Sequence, residues 1–146
     1  MTAAPCIFCE IVAGRIAADI VSETEHTLAF LDRSPVFFGH TLVIPRVHFE
    51  TLIDLPNELL EPTFAETQRV STAVLRAMGA AGTFVAMNNV VSQSVPHLHV
   101  HVVPRNRKDG LRGFFWPRQR YRDDAHRESV AAALRAELHL HRDDHS

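Results

Sequence analysis

The chain has 146 residues, 46% of them hydrophobic and 22% charged, a composition that fits one folded domain and excludes a disordered chain. Its formal net charge of -2 gives a nucleic-acid backbone no electrostatic partner, and two cysteines are too few for an extracellular disulfide framework. No apolar run is long enough to span a bilayer and no charged-then-apolar leader is present, so the expectation is a cytoplasmic protein without a membrane partner.

In chain order, β-prone runs at Ile20–Glu23 and Thr27–Leu31 flank Thr24-Glu25-His26 and predict a hairpin. Asp32-Arg33-Ser34-Pro35 reads as a turn, and Gly39 precedes a third strand, Thr41–Pro45. Pro56 and Asn57 open a long helix running towards Met78, with Leu59, Leu60, Phe64, Val70, Val74 and Leu75 as its apolar face and Gly79 and Gly82 as its stop. Pro62 lies early enough in that helix to be tolerated. A fourth strand, Thr83–Met87, leads into a polar loop, Asn88–Ser94. The fifth strand, Leu98–Val103, is closed by Pro104. An Arg- and aromatic-rich segment, Arg105–Tyr121, precedes a second helix, Ala125–Leu138, expected to bury Val130, Leu134 and Leu138. The order β-β-β-α-β-β-α predicts an α+β fold with a largely antiparallel sheet. It is read as a single domain, with a core over about 1–105 and the Arg/aromatic segment and C-terminal helix over 106–146.

The chain holds ten histidines, and their placement carries the functional information. In the segment from Pro96 to Pro104, alternation along a strand puts His97, His99 and His101 on one face and Leu98, Val100 and Val102 on the other. Three imidazoles in a row either bind a metal or divide the labour of a nucleophile and its supports. Neutral imidazole is a competent nucleophile near neutral pH, because its ordinary pKa is about 6.5. Attack on a phosphoryl group splits one hard displacement into two easier ones through a covalent intermediate. The second ring nitrogen then needs an acceptor, and the phosphoryl oxygens need donors. Gln93, Ser94, Asn88 and Asn89 are suitable donors beside the strand.

Cys6-x-x-Cys9 with His48 forms a second constellation. Two thiolates at this spacing hold one tetrahedral Zn²⁺ when imidazoles complete the site, and a strand-end histidine such as His97 is available. A redox pair of the thioredoxin type needs a preceding strand, which residues 1–9 do not supply. Two packed, metal-free cysteines are the third reading.

Taken together these residues resemble the histidine-triad (HIT) superfamily. The similarity covers Cys6 to Ile11, Phe30-Leu31-Asp32, Gly39 to Pro45, His48, and Gln93-Ser94-Val95-Pro96-His97-Leu98-His99-Val100-His101 through Arg105. The resemblance implies a five-stranded antiparallel sheet with one long helix, a homodimer, and a small-molecule nucleotide substrate. The implied activity is hydrolysis or transfer of a nucleoside monophosphate from a phosphoramidate or a dinucleoside polyphosphate. By the same resemblance His99 is the nucleophile, His101 and Gln93 hold the phosphate, Ser94 assists the leaving group, and His40 supports the catalytic histidine. Ile7 and Phe8 line the purine pocket and Asp32 binds the ribose hydroxyls, with Asn88 (or Asn89) facing the nucleotide. Cys6, Cys9, His48 and His97 are the implied ligands of a structural zinc.

The chain departs from the usual pattern in two places. Ser92 stands where a glycine usually precedes the Gln, and the loop Asn88–Gln93 is about two residues short. The segment Gly110–Arg118 is distinctive, and Arg105, Arg107, Lys108 and Arg112 lean towards a polyphosphate leaving group. A nucleotide-binding regulatory protein and a metal-sequestering His/Cys protein are the competing readings.

Overall fold

The computed structural model describes residues 5–111 and 118–143, with the backbone alone at 140–143. It contains a five-stranded antiparallel sheet of order β1-β2-β3-β5-β4, built from β1 (Ile20–Glu23), β2 (Thr27–Leu31), β3 (Thr41–Pro45), β4 (Gly82–Ala86) and β5 (Val100–Arg105). The three helices are α1 (Ile7–Val12), α2 (Asn57–Ala77) and α3 (Asp124–Asp143). Residues to Gly110 make one compact unit and those from Leu111 a second.

Strand β3 is central, and both faces of the sheet are covered there, which is why β2 and β3 read as nearly unbroken apolar runs. Leu28, Phe30, Leu42 and Ile44 pack on one face with Phe8 and Ile11 of α1. Ala29, Val43, Val100 and Val102 pack on the other with Val70 and Val74 of α2. The histidine segment is built as the alternation predicts. Leu98, Val100 and Val102 are wholly buried, and His101 lies opposite Leu42 on one side and Ala86 on the other.

The departures from expectation are local. Strand β5 starts two residues later than predicted, because the Leu98 N–H donates to the Phe49 carbonyl (2.7 Å) instead of to a neighbouring strand. It also continues through Pro104. Strand β3 pairs only with Val100 to Val102, so the N–H that Pro104 lacks has no β3 partner to lose. Strand β4 lies one residue earlier than the β-prone run. The buried face of α2 is Thr63, Glu66, Thr67, Val70 and Val74, so Phe64, placed in the apolar stripe by periodicity, is 41% exposed. Glu66 is tolerated there because Ser22 and Arg69 donate to its carboxylate.

Helix α3 is longer than expected, and the expectation of a buried stripe fails: Val130, Leu134 and Leu138 are all exposed. Among the described residues its compact unit contains no other helix or strand, so the stripe has nothing within that unit to pack against. Helix α1 was not anticipated, since six residues are too few to show a period; it buries Phe8 and Ile11, three positions apart. A single 3₁₀ turn at Leu52–Asp54 was also missed, although Thr51-x-x-Asp54 is a legible capping box. Among the described residues no helix is long and apolar enough to cross a membrane.

Candidate active site and metal centre

His99 is buried, and its Nδ1–H donates to the His97 carbonyl at 2.7 Å. That bond fixes the tautomer and leaves Nε2 with its lone pair. His99, His101, Asp32 and Ser94 border a hollow of about 200 Å³ whose apolar walls include Ile7, Phe8 and Phe30. This is less than a whole drug-sized ligand needs, so the hollow fits a ring system while more polar parts of a ligand stay outside it. Phe8 sets its ring edge-on to both Phe30 (5.3 Å between centroids) and His99 (5.2 Å). Helix α1 thus supplies one wall of the hollow and one packing support of the His99 ring.

The ring of His101 stands 4.9 Å from that of His99. Burial, then the neighbouring His99 and His40 rings, push His101 down to about 4, with Asp32 opposing. It is therefore a neutral donor at working pH, not a cation. His40 Nε2 lies 2.9 Å from His101 Nδ1 and 3.7 Å from Asp32 Oδ2. Burial also lowers His40, against the pull of Asp32. Asp32 follows β2 directly, and its Oδ1 accepts the Ser34 N–H in the turn that the sequence predicted.

The loop before the triad is braced internally. The Gln93 carboxamide accepts the Val90 N–H (3.0 Å) and donates to the Glu50 carbonyl (2.6 Å). Asn88 donates to the Ser92 carbonyl, and Asn89 accepts the Leu52 N–H. Gln93, Asn88 and Asn89 are thus beside the site but do not line the hollow, whereas Ser94 does. Ser92 adopts φ 61° and Val90 φ 69°, left-handed conformations that favour glycine. The backbone at Ser92 therefore has the shape that the missing glycine would have supplied.

Cys6, Cys9, His48 and His97 come together at the other end of the histidine segment, with all four donor atoms within 4.8 Å of one another. His97 Nε2–H donates to the Pro45 carbonyl (2.8 Å), turning Nδ1 and its lone pair towards the thiols. Within the group, Cys6 Sγ–His97 Nδ1 is 3.4 Å, Cys9 Sγ–His48 Nδ1 3.4 Å, Cys9 Sγ–His97 Nδ1 3.6 Å and His48 Nδ1–His97 Nδ1 3.2 Å. Edges of a tetrahedron with ordinary zinc–sulfur and zinc–nitrogen bonds are roughly 3.3–3.8 Å, so the donor set fits one such ion. Burial and then the neighbouring Cys6 raise Cys9, and burial first pushes His97 down to about 4. A cation bound among them would favour the thiolate form of Cys9, and the lowered His97 already keeps its ligand nitrogen unprotonated.

A larger hollow, about 300 Å³, lies on the opposite face of the sheet beside α2, but none of the triad histidines borders it. Arg105 is bonded to Asp109 at the far end of β5. It lies four residue steps along the strand from His101, about 13 Å of chain, and Arg107 and Lys108 follow it in the chain. Arg112 and the Phe114–Trp116 run fall outside the described residues. Sequence reasoning missed Phe30 and Leu42 as hollow-lining residues. The signal was present in the alternation of β2 and β3, where these positions share the histidine face.

Three alternating histidines, a ring-sized hollow and a Cys₂His₂ cluster on one antiparallel α+β sheet define a histidine-triad architecture. The HIT domain family matches residues 13–108, and the chain belongs to that family. The crystal structure of a HIT family protein from Bacillus anthracis superposes with TM-score 0.83 at 34% identity, covering 93% of this chain and 99% of that one. A zinc-bound histidine triad family protein from Mycobacterium smegmatis gives TM-score 0.70 at 36% identity, covering 91% of this chain and 96% of that one. The adenosine 5'-monophosphoramidase of Saccharomyces cerevisiae is 37% identical over 119 residues, 80% of this chain and 72% of that protein.

Proposed function

We propose that the protein is a nucleotidyl hydrolase or transferase that removes a nucleoside monophosphate, AMP being the favoured one, from a phosphoramidate. The observation that carries this reading is the free Nε2 of His99 beside a ring-sized hollow. The His99 Nε2 lone pair attacks phosphorus, the bond to the leaving nitrogen breaks, and that nitrogen takes up a proton through the Ser94 hydroxyl or solvent. The new N–P bond leaves the His99 ring positively charged, and the His97 carbonyl stabilises it by accepting Nδ1–H. Water then attacks phosphorus, releasing the monophosphate and restoring neutral His99. His101 donates to a phosphoryl oxygen, Asp32 takes the ribose hydroxyls, and Ile7 and Phe8 sandwich the base.

Gln93 and Asn88 join the phosphate and nucleotide contacts only if the loop releases their amides. That internal bracing is the observation that favours the second reading, a nucleotide-binding regulatory protein with little turnover. A phosphoramidate is preferred to a dinucleoside polyphosphate because Arg105, Arg107 and Lys108 do not border the hollow and Arg105 is bonded to Asp109. The named activity of the yeast relative supports the same choice. Cys6, Cys9, His48 and His97 would hold a structural zinc, supported by the donor spacing and the zinc-bound mycobacterial neighbour. A closed four-ligand site supplies no water to the reaction, and its role is to tie α1 to the histidine segment. A cytoplasmic homodimer remains part of the proposal.

The test is mass spectrometry of protein mixed with an adenosine phosphoramidate and quenched in base, because phosphoramidate bonds to histidine are acid-labile. An added AMP on His99 supports the reading. Binding without adduct or AMP release would sink it in favour of the regulatory protein.

A further inference from the structure

Asp32, His40 and His101 form a second group with the composition of a metal site, their donor atoms also lying within 4.8 Å of one another. We infer that this group is instead a proton-locked donor for the substrate's phosphoryl oxygens, and that the lock is the backbone N–H of Val36. This rests on the nucleotidyl-transfer reading of the site.

The chain of bonds starts at the main chain. The Val36 N–H donates to His40 Nδ1 at 3.1 Å. A backbone amide can only donate, so Nδ1 carries no proton and the neutral His40 ring holds its proton on Nε2. That Nε2–H donates to His101 Nδ1 at 2.9 Å, which places the His101 proton on its own Nε2. His101 borders the hollow, so the ring offers an N–H there and not a lone pair. Asp32 Oδ2, 3.7 Å from His40 Nε2, favours the same arrangement.

A metal bound to this group would need the lone pair of His40 Nε2. The His40 proton would then move to Nδ1 and face the Val36 N–H head-on. His40 is 3% exposed, so no solvent can take over as acceptor. The turn is held in place on several sides. The His40 N–H donates to the Phe37 carbonyl (3.0 Å), and the Asp32 N–H donates to the His40 carbonyl (2.9 Å). Gly39, at φ 98°, passes so close to Met78 that a Cβ would lie 2.6 Å from its Cγ. Two histidine groups of similar composition thus have opposite fates. In the Cys6–Cys9 group a carbonyl takes the proton away from the donor atom, whereas in the Asp32 group an amide drives the proton onto it. Val36 is a positioning residue, acting through His40, and its side chain plays no part.

The decisive measurement is long-range ¹H–¹⁵N NMR of histidine-labelled protein without nucleotide. Nε2–H tautomers are expected for His40 and His101 and an Nδ1–H tautomer for His99; an Nδ1–H tautomer at His40 overturns the proposal. Zinc titration of the same protein should fill the Cys6–Cys9 group alone. A second equivalent lost in His40→Ala would likewise overturn it. Val36→Pro removes the amide and should mix the His40 tautomers, admit a second zinc and lower kcat by roughly tenfold or more with little change in KM. Val36→Ala, which keeps the amide, should retain the wild-type tautomers. If Val36→Pro does not fold, the tautomers and zinc stoichiometry of the wild-type protein still decide. A missing AMP adduct would remove the proposed reaction while leaving these tautomers readable, so the two failures are distinct.

Discussion

His97 and His99 stand two residues apart on one extended segment and use the same ring in opposite ways. His97 gives its Nε2–H to the Pro45 carbonyl and turns Nδ1 to the cysteines; His99 gives its Nδ1–H to the His97 carbonyl and keeps Nε2 open to the hollow. Residue type is identical, and the carbonyl within reach decides which nitrogen is available. The two ends are also coupled, because the carbonyl that orients His99 belongs to a residue of the metal group. Phe8, which lies between Cys6 and Cys9 in the chain, packs on both rings.

The division breaks most severely at His99. His99→Ala should abolish the AMP adduct and lower turnover by roughly 10⁴-fold or more, with zinc content unchanged by metal analysis. Loss of zinc in that variant would show that the two ends are not separate. Next in size is Cys9→Ser, which removes one of the proposed zinc ligands while leaving His99 in place. Zinc should be lost and the thermal midpoint should fall on the order of 10 °C, while the AMP adduct still forms, more slowly. An unchanged midpoint in calorimetry would deny the metal group its structural role.

A third measurement uses the lowered His101. Its folded value, about 4, is below the ordinary 6.5, so between these values the unfolded chain takes a proton that the folded chain does not. Stability from this group is full above about pH 6.5 and is lost as pH falls towards 4, by at most about 1.4 kcal/mol per pH unit. Urea unfolding across that window should show the loss, and His101→Gln should reduce its slope while the likewise lowered His97 and His40 keep their share. The smallest effect is expected in the loop beside the His99 end. Ser92→Gly should stabilise the protein by about 0.5–1 kcal/mol, since glycine accepts φ 61° without strain. Destabilisation in the same assay would mean that the Ser92 side chain holds the loop.

Much of this was legible from single residues and their spacing. Alternation along 97–102 separated core from site, and it holds even where β5 begins late, because an extended segment keeps its period whether or not its neighbour is a strand. The Cys6, Cys9, His48 and His97 group was legible from ligand chemistry, and the chain does bring these residues together. Helix α3 shows the limit. Val130, Leu134 and Leu138 have helical spacing, but spacing marks a stripe and says nothing about whether a partner covers it. Arg105 shows a second limit of sequence proximity, because it lies four positions along the strand from His101 and is bonded to Asp109.

By itself the sequence determined the five strands and two long helices in order, the two-faced histidine segment and the residue types of both sites. These depend on local periodicity and on side-chain chemistry, which travel with the residue. Only the tertiary structure decided which nitrogen each histidine presents, that Gln93 is engaged by its own loop, and that Asp32, His40 and His101 meet. Those outcomes depend on backbone carbonyls and amides brought from distant parts of the chain, Pro45 to His97 and Val36 to the ring beside His101. Every residue except proline carries the same main-chain donor and acceptor, so nothing in the residue letters marks the ones that will be used.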